Sequence, residues 1–396
     1  MPLRIVHAAD CHLDAPCLSL AAHVRARVRT AEREAFTRLC DLAIAREVDA
    51  LVLAGDLFDG SSVRLATRMW IADELGRVCA AGVHVVVASG NHDPGSRLAV
   101  LAIEWPRELF VLADGPEPVQ LDLPNGTIVA IGHAHEKLAD NLAVQLPRAP
   151  GGVACVAVVH AQVSGSIGAR DRYAPCAPED LAVLGYGYVA LGHVHQRQAV
   201  VSDPPAWYSG CLQAHDIGEP GAKGAIVVAV EADGRVELEF VPLAPVRFER
   251  VELIDPDCAP SQLAERIRAQ LAELSELAGD ELIVRVILRG RSTLAVALRD
   301  PDQLSALEDE LTAELGALAV ELRADDLHPP LEIASHRGQP HVLGVALELV
   351  ERALSDDGLL DELTPATLAG DHQDQRAYVR SLLEGLEVET AEVLLR

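Results

Sequence analysis

The chain has 396 residues, of which 49% are apolar, and a formal net charge of −27 at pH 7. This length predicts two or three domains, and the apolar fraction is sufficient for a sizeable buried core. The net charge is −10 over residues 1–245 and −17 over residues 246–396. Such acidity argues against a protein that coats nucleic acid non-specifically, so a nucleic-acid substrate would need a local basic patch. We interpret the acidic C-terminal part as a solvated surface.

Several features of the sequence bear on its compartment. No run of 18 or more apolar residues occurs, so no membrane-spanning segment is predicted. The N-terminus lacks the length and the cleavage site of a signal peptide. The eight cysteines are scattered singly, without a Cys-x-x-Cys pair. We therefore expect a cytoplasmic, reduced protein without a structural zinc ribbon.

Apolar runs and helical patterns alternate along the first 245 residues. We predict strands at 3–8, 50–54 and 83–88, separated by helices at 21–47 and 64–80. Strands that alternate with helices pair in parallel, with the helices on the faces of the sheet. Five more apolar runs follow, at 127–131, 153–159, 188–191, 225–230 and 236–240. The later ones lie close together with short turns between them, which predicts a second, more antiparallel sheet. The predicted fold class is α/β, a layered β-sandwich flanked by helices.

Pro242 and Pro245 mark the predicted end of this first domain. Beyond them the pattern predicts strand, helix, strand, strand, helix and strand, at 246–254, 261–274, 281–288, 293–298, 302–315 and 318–322. This βαββαβ order is a split βαβ arrangement and predicts a small α+β domain at 246–328.

The remaining residues, 329–396, contain two amphipathic helical patterns, at 342–354 and 374–386. The apolar stripe of the first pattern consists of Val342, Val345, Ala346, Leu349 and Val350, and that of the second of Ala377, Tyr378, Leu382 and Leu386. Such stripes either pack on their own domain or dock another protein, and the sequence leaves both interpretations open.

Acidic residues and a histidine follow the first two predicted strands. Asp10 and His12 come after the first strand, and residues two apart in extended backbone point to the same side. They can therefore present an oxygen and a nitrogen to one metal ion. Asp56 follows Gly55, which allows a close backbone approach, and its two carboxylate oxygens can bridge two ions. Asp59 is either a loop acid or a partner of a neighbouring ligand.

The tetrapeptide Gly90-Asn91-His92-Asp93 follows the third predicted strand. Asn91 offers a neutral oxygen ligand. His92, its neighbour, must point elsewhere and is free for acid or charge-stabilising work. Asp93 is expected to orient that imidazole through a ring N–H, as carboxylates behind catalytic histidines do.

Three more histidines extend the set. His160 ends the strand at 153–159, and His193 and His195 repeat the alternate-residue spacing after the strand at 188–191. Oxygen and nitrogen ligands without thiolate fit manganese or iron(II) better than structural zinc. We therefore expect two divalent ions, Mn²⁺ before Fe²⁺, which together can activate a water and clamp the oxygens of a phosphate ester.

A second pair, His133 and His135, also follows an apolar strand. The metal site needs one more histidine ligand between Asn91 and the final His-x-His pair, in addition to His92, which is not a ligand. No histidine lies between His92 and His133, whereas His160 precedes His193. We therefore choose the later pair and expect His133 and His135 to be core or surface polar residues.

These motifs resemble the calcineurin-like metallophosphoesterase superfamily and, within it, the YhaO-like branch of the SbcD-like DNA repair nucleases. The resemblance rests on HAADCHLDAP at 7–16, GDLFD at 55–59 and YSGCLQ at 208–213, followed by Glu219 and Lys223-Gly224. It covers residues 1–245 well and is weak beyond them.

The resemblance implies a ligand set and a domain plan. It places Asp10, His12 and His195 on one ion, Asn91, His160 and His193 on the other, and Asp56 between them, with His92 as the catalytic histidine. It implies a nuclease domain at 1–245, a capping domain at 246–328, and C-terminal helices at 329–396 that contact a coiled-coil ATPase of the SMC type. A homodimer is a further candidate assembly.

The leading hypothesis is a DNA phosphodiesterase, an exonuclease that could also act as a single-strand endonuclease in DNA repair. Five cations near the motifs are candidate phosphate contacts: Arg64, Arg170, Arg172, Arg197 and Lys223. One alternative is a phosphatase or small-molecule phosphodiesterase, which the acidity favours. The other is a non-catalytic subunit that scaffolds the ATPase, although the complete ligand set argues against it.

Overall fold

The computed structural model of the protein describes residues 1–60, 63–93, 109–168, 172–273, 281–365 and 372–394. They form two compact units. The first comprises Met1–Val251, Arg268–Val286 and Glu308–Glu321, and the second comprises Glu252–Ile267, Ile287–Leu307 and Leu322–Arg396.

The strands, in chain order, are β1 (Leu3–Ala8), β2 (Ala50–Ala54), β3 (His84–Ala88), β4 (Phe110–Ala113), β5 (Val119–Leu123), β6 (Gly126–Ile131), β7 (Cys155–His160), β8 (Tyr188–Gly192), β9 (Gln198–Ser202), β10 (Pro205–Tyr208), β11 (Gly224–Val230), β12 (Val236–Pro242), β13 (Val246–Ile254), β14 (Glu281–Arg291) and β15 (Ala319–His328). The helices are α1 (Ala22–Ala45), α2 (Leu65–Ala80), α3 (Pro178–Ala182), α4 (Pro260–Glu273), α5 (Leu294–Ala297), α6 (Pro301–Leu315), α7 (Ile333–His336), α8 (Val342–Ser355), α9 (Asp357–Leu363), α10 (His372–Leu383) and α11 (Leu386–Leu394), with a 3₁₀ turn at Ala143–Gln145.

Two six-stranded sheets build the first unit, in the orders β12-β11-β1-β2-β3-β4 and β5-β6-β7-β8-β10-β9. Strands β1, β2 and β3 pair in parallel, as predicted. Strand β4 adds a further parallel strand to β3, and β6, β7, β8 and β10 also pair in parallel. The α/β class is therefore confirmed.

Two details of the sheet prediction are wrong. The second sheet is mostly parallel rather than antiparallel, and β11 and β12 pair antiparallel onto β1 in the first sheet. An apolar run predicts a strand but carries no information about its partner, which is why the sequence missed this. Strands β4, β5, β9 and β10 were not predicted, because each has only four or five residues and most of those residues are only partly buried or exposed.

The core follows from the alternation of side chains along each strand. In β2, Leu51 and Leu53 join a cluster with Phe36 of α1 on one side of the sheet. Val52, between them, joins a second cluster with Ile128 of β6, so the two sheets pack face to face. Each fully buried Val or Leu contributes about 1.5–3 kcal/mol. This two-sided burial makes the central strands continuous apolar runs.

Residues 246–328 contain a three-stranded sheet in the order β13-β14-β15. The predicted strand at 293–298 is wrong, because these residues form the helical turn α5. Leu294, Ala295 and Leu298 are buried whereas Val296 is 64% exposed, which is helical rather than alternating burial. A short apolar run cannot be assigned by periodicity alone. The observed order is therefore βαβααβ.

The predicted helices in the C-terminal part are confirmed as α8 and α10, while α7, α9 and α11 were not predicted. On α8, most of the predicted apolar stripe is exposed, and a different apolar face is buried. Leu343 and Leu347 are buried with Ala391 of α11, whereas Val342, Val345 and Leu349 are exposed. Helix α8 is therefore apolar on two faces, and the 3.6-residue pattern could not say which of them is covered.

All eight cysteines lie within the described residues and are free thiols, seven of them buried. Among the described residues, no helix has the length and apolar character needed to cross a membrane.

Candidate metal centre

Polar side chains converge where the parallel strands end. Asp10, Asp56 and Asn91 follow β1, β2 and β3, His160 closes β7, and His193 follows β8. The carboxyl ends of parallel strands meet along one edge, where α/β proteins place their ligands. Residues far apart in the chain thus become neighbours.

The backbone at this edge is strained and closely packed. Asp10, His12 and Asp56 have positive φ angles of 50°, 43° and 51°, which cost non-glycine residues about 1–3 kcal/mol each. No side chain fits at Gly90 or Gly55. A Cβ at Gly90 would lie 2.2 Å from Asp56 Oδ1, and a Cβ at Gly55 would lie 2.2 Å from His160 Nδ1. The turns therefore direct these polar groups toward one another.

Asp10, His12 and His195 form the first group. The Nε2 atoms of His12 and His195 lie 3.0 Å apart, and His195 Nε2 is 4.0 Å from Asp10 Oδ1. The three side chains can present their ligand atoms to one ion.

Asn91, His160 and His193 form the second group. Asn91 Oδ1 lies 3.0 Å from His160 Nε2 and 3.1 Å from His193 Nδ1. Asp56 Oδ2 lies 3.3 Å from His160 Nε2 and 3.6 Å from His12 Nε2. A single carboxylate oxygen thus faces both groups.

The hydrogen bonds made by the outward-facing ring nitrogens show whether the inward-facing nitrogens can bind a cation. His195 Nδ1 contacts a Glu219 carboxylate oxygen, and His12 Nδ1 lies 3.4 Å from Asp59 Oδ1. A carboxylate requires the facing nitrogen to carry the proton, so each ring turns its Nε2 lone pair inward. Two lone pairs that face each other at 3.0 Å repel unless a positive charge lies against both. The first group therefore fits a metal ion.

The second group gives the same result. His160 Nδ1 lies 3.0 Å from the Ala54 carbonyl oxygen and donates to it. Nε2 therefore faces the oxygens of Asn91 and Asp56, which attract a proton or a metal cation to that position. Burial would lower the pKa of His160, but the Asp56 carboxylate outweighs burial and raises it to about 9. Burial would raise the pKa of Asp56, but His160, His12 and His92 hold it far below its usual range. A site that draws in protons in this way is suited to divalent cations.

His92 differs from the other imidazoles in its exposure and partner. Its side chain is 42% exposed, and Nδ1 lies 3.1 Å from Asp59 Oδ1. The hydrogen bond to Asp59 raises the pKa of His92. A ring nitrogen of His92 also lies close enough to the ligand atoms of His12 and Asp56 for the three side chains to share one metal ion.

The expectation for Asp93 needs correction, because the carboxylate that holds His92 Nδ1 is Asp59. Asp93 is buried and accepts hydrogen bonds from the backbone N–H groups of Gly90, at 2.8 Å, and Phe58, at 3.2 Å. Burial raises its pKa to about 6. Asp93 follows His92 directly and points into the turn, so it ties the loops after β2 and β3 together.

A cleft of about 680 Å³ opens over both groups. Its lining includes Tyr173, His215, Glu219 and Lys223, none of which was predicted as a ligand or catalytic residue. Glu219 occurs in the motif after the last histidines, which was the signal that could have been used. His133 is buried with Nε2 2.8 Å from the His160 carbonyl oxygen, and His135 is exposed.

The predicted phosphate contacts are dispersed. Arg64 is paired with Asp14, Arg197 lies 3.9 Å from the centre of the Phe240 ring, and Arg172 is exposed. Arg170 lies outside the described residues. Lys223 is the candidate that lines the cleft among the described residues. Its side chain is buried, and Nζ donates a hydrogen bond to the His195 carbonyl oxygen at 3.1 Å.

Comparison with known proteins agrees with this geometry. The family described as calcineurin-like phosphoesterase matches residues 3–197, and the family described as the middle domain of the metallophosphoesterase YhaO matches residues 248–329. The chain belongs to the calcineurin-like metallophosphoesterase superfamily and, within it, to the YhaO-like branch. The resemblance in the sequence is confirmed.

Three relatives illustrate the relationship. The chain is 29% identical over 299 residues to "Uncharacterized metallophosphoesterase YhaO" of Bacillus subtilis, covering 73% of this chain and 72% of that protein. It is 26% identical to "DNA double-strand break repair protein Mre11" of Methanopyrus kandleri, covering 67% and 62%. It is 29% identical to a subunit of the nuclease SbcCD of Rhodobacter capsulatus, covering 54% and 64%. The chain thus spans less than two thirds of the last two proteins. Family membership makes it a hydrolase of phosphoester bonds, and the two ligand groups fit a dinuclear divalent site.

Proposed function

We propose that the protein is a dinuclear-metal-dependent DNA phosphodiesterase, an exonuclease of DNA repair. The observation that carries the proposal is the placement of Asp56, whose Oδ2 faces His12 of one ligand group and His160 of the other. One metal ion alone would not need that arrangement. Relatives named as a double-strand break repair protein and as part of a nuclease support DNA as the substrate.

In this proposal each residue has a defined task. Asp10, His12 and His195 would hold one ion, Asn91, His160 and His193 would hold the other, and Asp56 would contribute to both. When bound, two divalent ions, Mn²⁺ first and Fe²⁺ second, activate the attacking water and offset the negative charge that builds on the phosphate.

His92 acts at the leaving oxygen. Asp59 accepts the hydrogen bond from Nδ1, which favours the protonated imidazole and leaves Nε2 free to face the cleft. Because its pKa is raised, His92 enters the reaction as the acid and donates the Nε2 proton to the departing oxygen. Asp59 positions the ring and stabilises its positive charge.

Two further parts of the proposal concern organisation. We assign the nuclease chemistry to residues 1–245, a capping domain to 246–328 and partner docking to 329–396. The exposed apolar face of α8 supports docking of a coiled-coil ATPase of the SMC type, and a homodimer is the other assembly. The free thiols of all eight cysteines are consistent with a reduced, cytoplasmic protein.

A second candidate function keeps the metals and changes the substrate to a small phosphodiester or phosphomonoester. The acidity of the chain and the engagement of Arg64 by Asp14 favour it, because few cations among the described residues then remain near the cleft for a long polyanion. A third candidate is a non-catalytic scaffold for the ATPase.

A Mn²⁺-dependent digestion assay separates these candidates. The substrates are end-labelled duplex DNA, single-stranded DNA and bis-p-nitrophenyl phosphate, with His92→Ala and Asp56→Ala as controls. DNA degradation that both substitutions abolish is the expected result. Hydrolysis of the small ester alone would support the second candidate. Inactivity on every substrate, even with the ATPase added, would leave the scaffold.

Salt dependence gives an independent test of the DNA substrate. Phosphate contacts release counterions, so the logarithm of the binding constant for duplex DNA should fall linearly with the logarithm of salt concentration. Binding that does not change between about 50 and 200 mM salt would contradict the DNA proposal.

A further inference from the structure

His195 is the imidazole of the first ligand group that packing holds least. Its side chain is 30% exposed, whereas that of His12 is 6% exposed. It lies in the loop between β8 and β9 rather than in a strand. A ring with this freedom loses rotational entropy when it binds a metal, so a precise ligand needs other restraints.

Glu219 restrains the ring. One carboxylate oxygen contacts His195 Nδ1. The other accepts a hydrogen bond from the His215 backbone N–H at 2.9 Å and lies 3.8 Å from Cys211 Sγ. Both oxygens are therefore engaged, and the loop between β10 and β11 fixes the carboxylate before any metal binds.

Lys223 restrains the backbone of the same residue. Its Nζ donates to the His195 carbonyl oxygen at 3.1 Å, and the Cys211 backbone N–H donates to that oxygen at 3.2 Å. Gly210 permits this approach, because a Cβ there would lie 2.9 Å from the same oxygen. One loop thus holds both the ring and the carbonyl of His195.

We propose that Glu219 and Lys223 are positioning residues for His195, with Glu219 fixing the ring tautomer that turns the Nε2 lone pair inward and Lys223 fixing the backbone. The inference rests on the proposed metal centre. It assigns Lys223 a structural task at the site, in place of a contact to substrate phosphate.

The tautomer of His195 is the most direct test, and it needs neither metal nor substrate. In ¹⁵N-histidine-labelled, metal-free protein, Nδ1 of His195 should carry a proton, whether or not Nε2 also does, with a downfield proton signal typical of a carboxylate partner. Glu219→Ala should remove that signal, and Glu219→Gln should keep the tautomer because the amide oxygen still accepts. An unchanged His195 signal in Glu219→Ala would overturn the inference.

Calorimetric titration with Mn²⁺ gives the second readout. Removing a carboxylate behind a ligating histidine weakens metal binding about 10- to 100-fold, so Glu219→Ala should show that loss at one of two sites and Glu219→Gln a smaller one. The matched control is Asp216→Asn. Asp216 lies in the same loop as Glu219 but accepts its hydrogen bond from Ser19 Oγ, at 2.9 Å, rather than from a ligand histidine. This variant should bind Mn²⁺ as the wild type does.

The outcomes of the titration separate the two proposals. An equal loss in Asp216→Asn and Glu219→Ala would mean that loop folding alone is responsible, and would reject the role of Glu219. A wild-type protein that binds no Mn²⁺ would reject the metal centre itself, while the tautomer measurement would still decide on Glu219.

Lys223→Met distinguishes positioning from phosphate contact. If Lys223 holds His195, the substitution should weaken Mn²⁺ binding and leave the salt dependence of DNA binding unchanged. If Lys223 instead contacts a phosphate, the slope against salt should fall by about one and Mn²⁺ binding should stay intact, which would overturn this half of the inference.

Discussion

Two regions of the molecule depart in opposite directions from the rule that apolar side chains are buried and polar ones exposed. They are the ends of β1, β2, β3, β7 and β8, and the outer face of α8. At the strand ends, carboxylates, an amide and imidazoles are buried, and the hydrogen bonds behind them turn their lone pairs toward one another. On α8, Val342, Val345 and Leu349 lie exposed. Buried polar groups and exposed apolar patches are the informative departures from ordinary burial.

The difference between these regions lies in what would complete each one. The strand ends have converging lone pairs and negative charge, so a cation completes them. The α8 face exposes three large apolar side chains, so another apolar surface completes it. The predictions below test whether each region depends on its partner in this way.

The largest effect is expected for Asp56→Ala. Because Asp56 faces both ligand groups, its loss should remove several kcal/mol of transition-state stabilisation and lower kcat/KM more than about 10⁴-fold. Hydrolysis of bis-p-nitrophenyl phosphate and the metal content of the protein measure this. The control is Asp49→Ala, at the opposite end of β2, which should keep activity. Two tightly bound ions in Asp56→Ala would contradict the assignment.

His92→Gln should separate chemistry from metal binding. Loss of the general acid lowers kcat about 10²- to 10⁴-fold, with the Mn²⁺ content unchanged. Because p-nitrophenolate departs without protonation, the loss should be larger on DNA than on the p-nitrophenyl ester. His135→Gln, which replaces an exposed histidine, is the matched control. Loss of Mn²⁺ from His92→Gln would instead make His92 a ligand.

Two leucines on α8 sharpen the contrast within one helix. Leu347 is fully buried and Leu349 is exposed. Leu347→Ala should destabilise the C-terminal helices by about 2–5 kcal/mol, whereas Leu349→Ala should change stability by less than about 0.5 kcal/mol. Amide hydrogen exchange across α8 and α11 measures both. Equal protection in the two variants would mean that the packing of α8 is not as described.

Glu32, a buried acid outside the two ligand groups, predicts a pH dependence. Burial raises its pKa to about 8, and the groups that face it are Cys17, His215, Asp14 and Arg29. The folded state thus binds more protons than the unfolded state between about pH 4.5 and 8. Its contribution to stability is complete below that range and is lost as the pH rises through it.

Glu32→Gln stays neutral and avoids that loss. Relative to wild type, its free energy of unfolding should therefore rise between about pH 5 and pH 9, by about 4 kcal/mol for a pKa shift from 4.5 to about 8. Urea unfolding of the metal-free protein measures the difference. Glu34→Gln, on the same helix but more exposed, should show no such rise. Parallel pH curves for Glu32→Gln and wild type would contradict the raised pKa.

Much of the fold could be predicted because it is encoded locally. The central strands are buried on both faces, so each forms an unbroken apolar run, and its end is marked by the polar residue that follows. Alternation with helices then fixed parallel pairing. The residues expected at the site lie together for this reason, since strand ends in a parallel sheet meet at one edge.

The errors share a different origin. The segment at 293–298 is too short for its apolar pattern to distinguish a strand from a helical turn, and burial of Leu294 and Leu298 decided for the turn. β11 has the pattern of any strand, and only the path of the chain placed it beside β1. On α8, two apolar faces competed, and contact with Ala391 selected the one that is buried.

The sequence by itself determined the family, the central buried strands and the set of polar residues at their ends, because side-chain periodicity and motif spacing are local properties. The tertiary structure alone decided which carboxylate supports which imidazole. It paired Asp59 with His92, turned Asp93 into the backbone and brought Glu219 to His195 from 24 residues away. Such partners depend on where loops cross in space, and hydrogen bonds between distant residues leave no periodic signal in the chain.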